Sequence, residues 1–214
     1  MTSVTTRSLI RWTGPLAIFA GVLLLILGIL PSLLLPARQP VLEWVLDDAW
    51  PALSVLAFVL ALLMPLTLTG LYAGEVEETG RLGLLGYLIA FLGLLLFAAF
   101  QFDLAFVWPV LAAQAPELID FSGPMFRDPP FSVVHSVMGP LHAVGIVVFG
   151  VATYRGRVFP RSCAVLFTIG IVLSAGILLP PLIIRPIGAV PAAVALAWMG
   201  YTLWRTEHQA PAAG

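Results

Sequence analysis

Long uninterrupted apolar runs, separated by short stretches that hold nearly all the charge, set the pattern of this chain. Six runs stand out, at about 14–35, 51–72, 82–108, 131–153, 163–183 and 186–204. A helix rises about 1.5 Å per residue and the hydrocarbon layer is about 30 Å thick, so about 20 apolar residues cross it. The runs are continuously apolar, without the alternation that marks the lipid-facing strands of a barrel. The pattern predicts an all-α fold, a polytopic transmembrane helix bundle of six spans forming a single domain over 1–214. The boundary between the last two spans rests on Leu179-Pro180-Pro181 and Arg185-Pro186, because paired prolines interrupt a helix. Without that turn the count is five. Arg7 and Arg11 precede the first run as they would in a secretory signal, yet its 22 residues exceed the about 7–15 of a signal core. No small-x-small cleavage site follows, so the run reads as an uncleaved first span.

Arginine placement orients the spans. With the N-terminus inside, Arg7, Arg11, Arg81, Arg155, Arg157, Arg161 and Arg205 are cytoplasmic, and Arg38, Arg127 and Arg185 external. This distribution obeys the positive-inside rule, which acidic residues such as Glu75, Glu77 and Glu78 barely affect. Both termini are therefore expected in the cytoplasm of a cell whose inner membrane holds the protein. Trp12, Trp50, Trp108 and Trp204 fall near span ends, where amphipathic rings prefer the interface.

Composition agrees with a lipid solvent: 60% of the 214 residues are apolar and 10% charged, against about 45–50% and 25% in soluble domains. A net charge of −1 without an extended basic cluster argues against nucleic acid as a partner. Cys163 is the one cysteine, so no disulfide forms within the chain. Stripes of small residues predict packed faces: Gly83, Gly86, Ala90 and Gly93 on the third span, Gly139 and Ala143 on the fourth, and Ala193, Ala197 and Gly200 on the sixth. These faces meet inside the bundle or form a homodimer seam. Residues 41–50 predict a short interfacial helix, with Glu43, Asp47 and Asp48 largely opposite Leu42, Trp44, Val45 and Ala49. The stretch 109–130 is the longest connection.

Ionisable groups inside a membrane are costly, which makes them the first candidates for function. His135 and His142 lie seven residues apart on the fourth span and so face the same way. Gln101 and Asp103, at the outer end of the third span, reach the level of His135. An outer polar pocket of Gln101, Asp103, His135 and Arg127 is one expectation, with His142 as a mid-membrane polar residue. The alternative makes His135 an interfacial residue and leaves His142 bonded to a neighbouring backbone. No cofactor or metal is expected. Haem would need a His–Met pair such as His142 with Met64 or Met199, and methionine is also a common core filler. Zinc needs three or four ligands, which this set does not supply. No nucleophile elbow, phosphate-binding glycine loop, metalloprotease helix or Cys-x-x-Cys occurs.

The stretch Phe149-Gly150-Val151-Ala152-Thr153-Tyr154-Arg155-Gly156-Arg157-Val158-Phe159-Pro160-Arg161 resembles a recurring feature of uncharacterised small multi-spanning bacterial membrane proteins. Phe106-Val107-Trp108-Pro109-Val110-Leu111-Ala112-Ala113 is similar to theirs as well. The resemblance covers spans three to six and implies no activity, cofactor or catalytic residue. Three readings follow: a non-enzymatic accessory or scaffold protein of the bacterial inner membrane, a small-solute permease or channel, and a membrane redox or lipid- or quinone-acting enzyme. The first is preferred, because a permease needs polar groups at mid-depth on several helices and an enzyme needs convergent titratable groups. The expected partners are the lipid bilayer and other membrane subunits or a second copy.

Overall fold

The computed structural model describes residues 6–35, 40–174 and 181–209, with side chains over 11–35, 40–174 and 186–206. Its long helices are α1 (Thr6–Leu34), α3 (Trp50–Phe102), α6 (Phe131–Gly156), α7 (Arg161–Ser174) and α8 (Pro181–Gln209); α2 (Val41–Val45), α4 (Trp108–Gln114) and α5 (Pro124–Arg127) are short. Four helical stretches are long and apolar enough to cross a membrane: Arg11–Leu34, Trp50–Gln114, Phe131–Gly156 and Pro186–Thr206. The fifth predicted span is represented by α7, 14 residues long, and the rest of that run up to Pro180 lies outside the described residues.

The second of these stretches is a helical hairpin. Gly80 adopts φ 55° and ψ −144°, a conformation open to glycine and costly for residues with a β-carbon, and nothing lies within 4 Å of where that carbon would stand. The constraint at Gly80 is therefore conformational. Beyond it the chain runs back along itself. The rings of Tyr72 and Tyr87 stack with centroids 4.6 Å apart, and the Thr69 and Tyr87 hydroxyls are hydrogen bonded at 3.1 Å. Near the far end, Phe58 meets Phe102 and Phe106, and the Trp50 indole donates to the Leu104 carbonyl at 3.2 Å.

That last bond answers a local defect. Residues Asp103–Val107 form a π-helical turn, in which each N–H bonds the carbonyl five residues back. Pro109 has no N–H to give Leu104, and Trp50 supplies the missing donor. The proline stands at the first turn of α4, where its missing donor is tolerated, so the helical path continues past Trp108, where the third apolar run was expected to end, to Gln114.

The chief helix contacts are α3 with α6, α1 with α8 and α7 with α8, followed by α1 with α3 and α6 with α7. Glycines set these distances. A β-carbon at Gly93 would lie 2.6 Å from His142 Cα, one at Gly86 would meet the Phe149 backbone, and one at Gly145 would meet the Ala90 backbone. The third-span stripe thus faces α6. On α6, however, the contact face runs through His142, Gly145, Ile146 and Phe149, whereas Gly139 and Ala143 are only half-buried. The α8 stripe packs on α1: a β-carbon at Gly200 would lie 2.6 Å from the Gly14 carbonyl, and one at Gly21 2.9 Å from the Ala193 carbonyl.

Thr13 abuts Gly70, Leu203 abuts Gly74, and Thr79 lies against Gly156. The beginning of α1, the reversal at Gly80, the α6–α7 connection and the end of α8 therefore gather at one end of the bundle. There Arg157 ends α6 in the left-handed region (φ 62°), and the Arg161 guanidinium sits 5.0 Å above the Tyr154 ring. At the other end a small second core of Val45, Trp108, Ala112 and Ile119 joins α2 to the 109–130 stretch. The predicted helix over 41–50 is shorter than expected, because Asp47 leaves the helical path and accepts the Ala49 N–H at 2.8 Å ahead of α3. The 109–130 stretch is mostly ordered into turns, including α4, a 3₁₀ turn at Pro116–Leu118 and α5. Its Asp120 accepts the Ser122 N–H at 2.8 Å, which holds that exposed carboxyl below its usual range.

Candidate functional site

A cleft of about 290 Å³ opens on the side of the bundle between the last turns of α3 and the first turns of α6. Leu96, Ala99, Phe100 and Asp103 form one wall; Pro130, Phe131, Val134, His135 and Met138 form the other. The spacing explains the assignment. Residues 96, 99, 100 and 103 recur at three and four positions, as do 131, 134, 135 and 138, so each set occupies one helical stripe. Asp103 is the first residue of the π turn, which runs on to Val107 ahead of Pro109.

His135 stands in a nest of phenylalanines. Its ring centroid is 5.1 Å from Phe100, 5.0 Å from Phe126, 6.2 Å from Phe131 and 6.4 Å from Phe121. Nδ1 is buried and has no hydrogen-bond partner. Asp103 and His135 thus share one cleft, but no carboxylate orients the imidazole at Nδ1 as a general base would require.

The predicted pocket is only half assembled. Gln101 is buried and does not line the cleft, because it lies two residues from both Ala99 and Asp103 and so points off their stripe. Arg127 is exposed, and its guanidinium donates to the Ser122 carbonyl at 2.8 Å, which ties it to its own loop. His142 is buried, with its backbone against Gly93 and its ring 6.3 Å from Phe97; its Nδ1 has no partner. Met64 and Met199 are packed among aliphatic side chains of the main core. Among the described residues no group of three or more His, Cys, Asp or Glu side chains is placed to hold a metal ion.

One polar site escaped the sequence reading. Glu75 is 1% exposed, accepts a hydrogen bond from the Thr153 hydroxyl at 2.6 Å, and leaves Oε2 buried without a partner. Thr153 is itself fully buried and also bonds the Phe149 carbonyl at 3.0 Å. Glu75 lies three residues past the apolar run that ends at Tyr72, in the connection to the Gly80 reversal. Burial pushes its carboxyl up to about 7 against the opposing effect of the Thr153 bond. Helical spacing was the available signal: Leu68, Leu71, Glu75 and Thr79 follow one another at three and four residues, on one buried face.

A second cleft, of about 180 Å³, lies at the opposite end between Arg11, Trp12, Pro15 and Trp204. No known protein family, curated protein or solved structure matches the chain.

Proposed function

We propose that this chain is a non-enzymatic accessory or scaffold protein of a bacterial inner membrane, a six-span helix bundle with both termini in the cytoplasm. The carrying observation is the packing at mid-depth: Gly86, Ala90 and Gly93 of α3 lie against the backbone of Phe149, Gly145 and His142 on α6. Backbone contact at that level fills the place where a permease would need a polar route, and it encloses His142. The six passes follow if α3 contributes two through its hairpin and the apolar run 163–183 supplies the fifth. The end that gathers Arg11, Arg81, Arg155, Arg157, Arg161 and Arg205 is then cytoplasmic.

Two measurements test this reading. Reporter fusions after Gly214 are expected to be active only in the form that requires cytoplasmic placement; a periplasm-active fusion rejects the topology. Membranes extracted in mild detergent are expected to hold the 22.9 kDa chain in an assembly larger than its monomer. Purified chain that stays monomeric and carries a small solute across vesicle walls, with the flux lost in His142→Ala, would replace the scaffold by a permease.

A further inference from the structure

The cleft between α3 and α6 is built like a seat for a single amphiphile. Leu96, Val134 and Met138 make its floor apolar over about 6 Å, the length of four helical residues. Toward one end stand a carboxylate and an imidazole, with no arginine among the lining residues. No arginine lines the cleft, so Asp103 has no permanent cation beside it there. The four phenylalanines enclose His135 Nδ1, which leaves Nε2 as the nitrogen able to serve a ligand. Around the cleft, Phe102, Phe106, Val133 and Val137 are exposed, as expected of a wall that faces acyl chains. Trp50 at the same end marks the level of the headgroups.

We propose that this cleft binds one phospholipid with a primary-amine headgroup, its ammonium on Asp103, its phosphate near His135 and one acyl chain along Leu96, Val134 and Met138. Charge selects the ligand. A carboxylate with no arginine beside it accepts N–H donors and disfavours an anionic headgroup. A quaternary ammonium offers no N–H, and the aromatic faces that would otherwise take it surround His135. The site is independent of the accessory role, since a scaffold or a permease could equally carry a bound lipid.

Native mass spectrometry of the full-length, delipidated protein tests the site by titration with phosphatidylethanolamine or phosphatidylglycerol. The wild type is expected to retain one phosphatidylethanolamine about tenfold more tightly than phosphatidylglycerol, the size of effect a charged hydrogen bond supplies. Asp103→Asn should bring that ratio close to one while the thermal midpoint stays near the wild-type value. Val134→Trp fills the cleft from an exposed position and leaves the carboxylate intact, so it should lower the retention of both lipids and keeps the test decisive if Asp103→Asn does not fold. Equal retention of the two lipids by the wild type would overturn the proposal. So would phosphatidylethanolamine binding unchanged in both variants.

Discussion

Gly93→Leu is expected to abolish most of the folded yield of this protein in detergent. A β-carbon at Gly93 would already lie 2.6 Å from His142 Cα and N, and both are backbone or backbone-attached atoms that cannot swing aside. The helices must separate, which opens the neighbouring contacts of Gly86 with Phe149 and of Ala90 with Gly145 along the same seam. Overpacking in a core costs about 1–3 kcal/mol when side chains can adjust. Here the loss should be at least the upper value, because the obstacle is main chain. Ala99→Leu, nearer the Phe102 end of the same helix and exposed, is the matched control and should be tolerated. Monodisperse yield by size-exclusion chromatography, read for both variants, decides the matter. If Gly93→Leu folds as well as Ala99→Leu, the α3–α6 contact described above is wrong.

That prediction was half legible in the sequence, and the half that was not is instructive. The stripe of Gly83, Gly86, Ala90 and Gly93 shows in the spacing alone, because small residues that recur every three or four positions bring backbones together in lipid. Its partner face on α6 does not. Gly139 and Ala143 offered a small-xxx-small pattern, yet α6 docks through His142, Gly145, Ile146 and Phe149. A glycine on one helix leaves room for whatever faces it, including a histidine, so the partner of a small residue need not be small. The apolar runs identified the helices, whereas the reversal at Gly80 rests on a backbone angle that the runs do not encode. The continuation through Pro109 required knowing that Trp50, 54 residues away in sequence, would bond the Leu104 carbonyl.

The candidate site divides along the same line. Asp103 and His135 come together because each sits at the end of a span of similar length, which apolar runs encode. Gln101 and Arg127 do not join them, since one points off the stripe and the other is captured by its own loop at the Ser122 carbonyl. Glu75 was hidden for a different reason. Beside Glu77 and Glu78 it reads as one more solvated acid in a cytoplasmic connection. Only its phase relative to Leu68 and Leu71 separates it from them, and both neighbours are exposed where it is buried.

Wild-type protein is expected to lose the stability that a protonated Glu75 carries as pH rises, whereas Glu75→Gln is not. Its carboxyl titrates at about 7 in the fold against 4.5 ordinarily, so the folded state binds more protons than the unfolded state between those values. The contribution of Glu75 to stability therefore falls as pH climbs through that window, is lowest above 7 where the buried carboxylate is charged, and is fully restored below 4.5. The shift corresponds to about 3 kcal/mol at most. No charged side chain offsets the penalty: among the described residues the one hydrogen bond to the carboxyl comes from the neutral Thr153 hydroxyl, and Oε2 has none. Glu75→Gln keeps an acceptor for Thr153 and removes the charge. The variant is expected to melt several degrees above the wild type at pH 8 and close to it at pH 4.5, when thermal midpoints are measured on the full chain in one detergent. His135 and His142 titrate in both proteins, so the difference between the two curves isolates Glu75. Parallel curves from pH 4.5 to 8 would mean that water or a cation reaches the carboxylate and that the seal formed by α3 and α6 around it is incomplete.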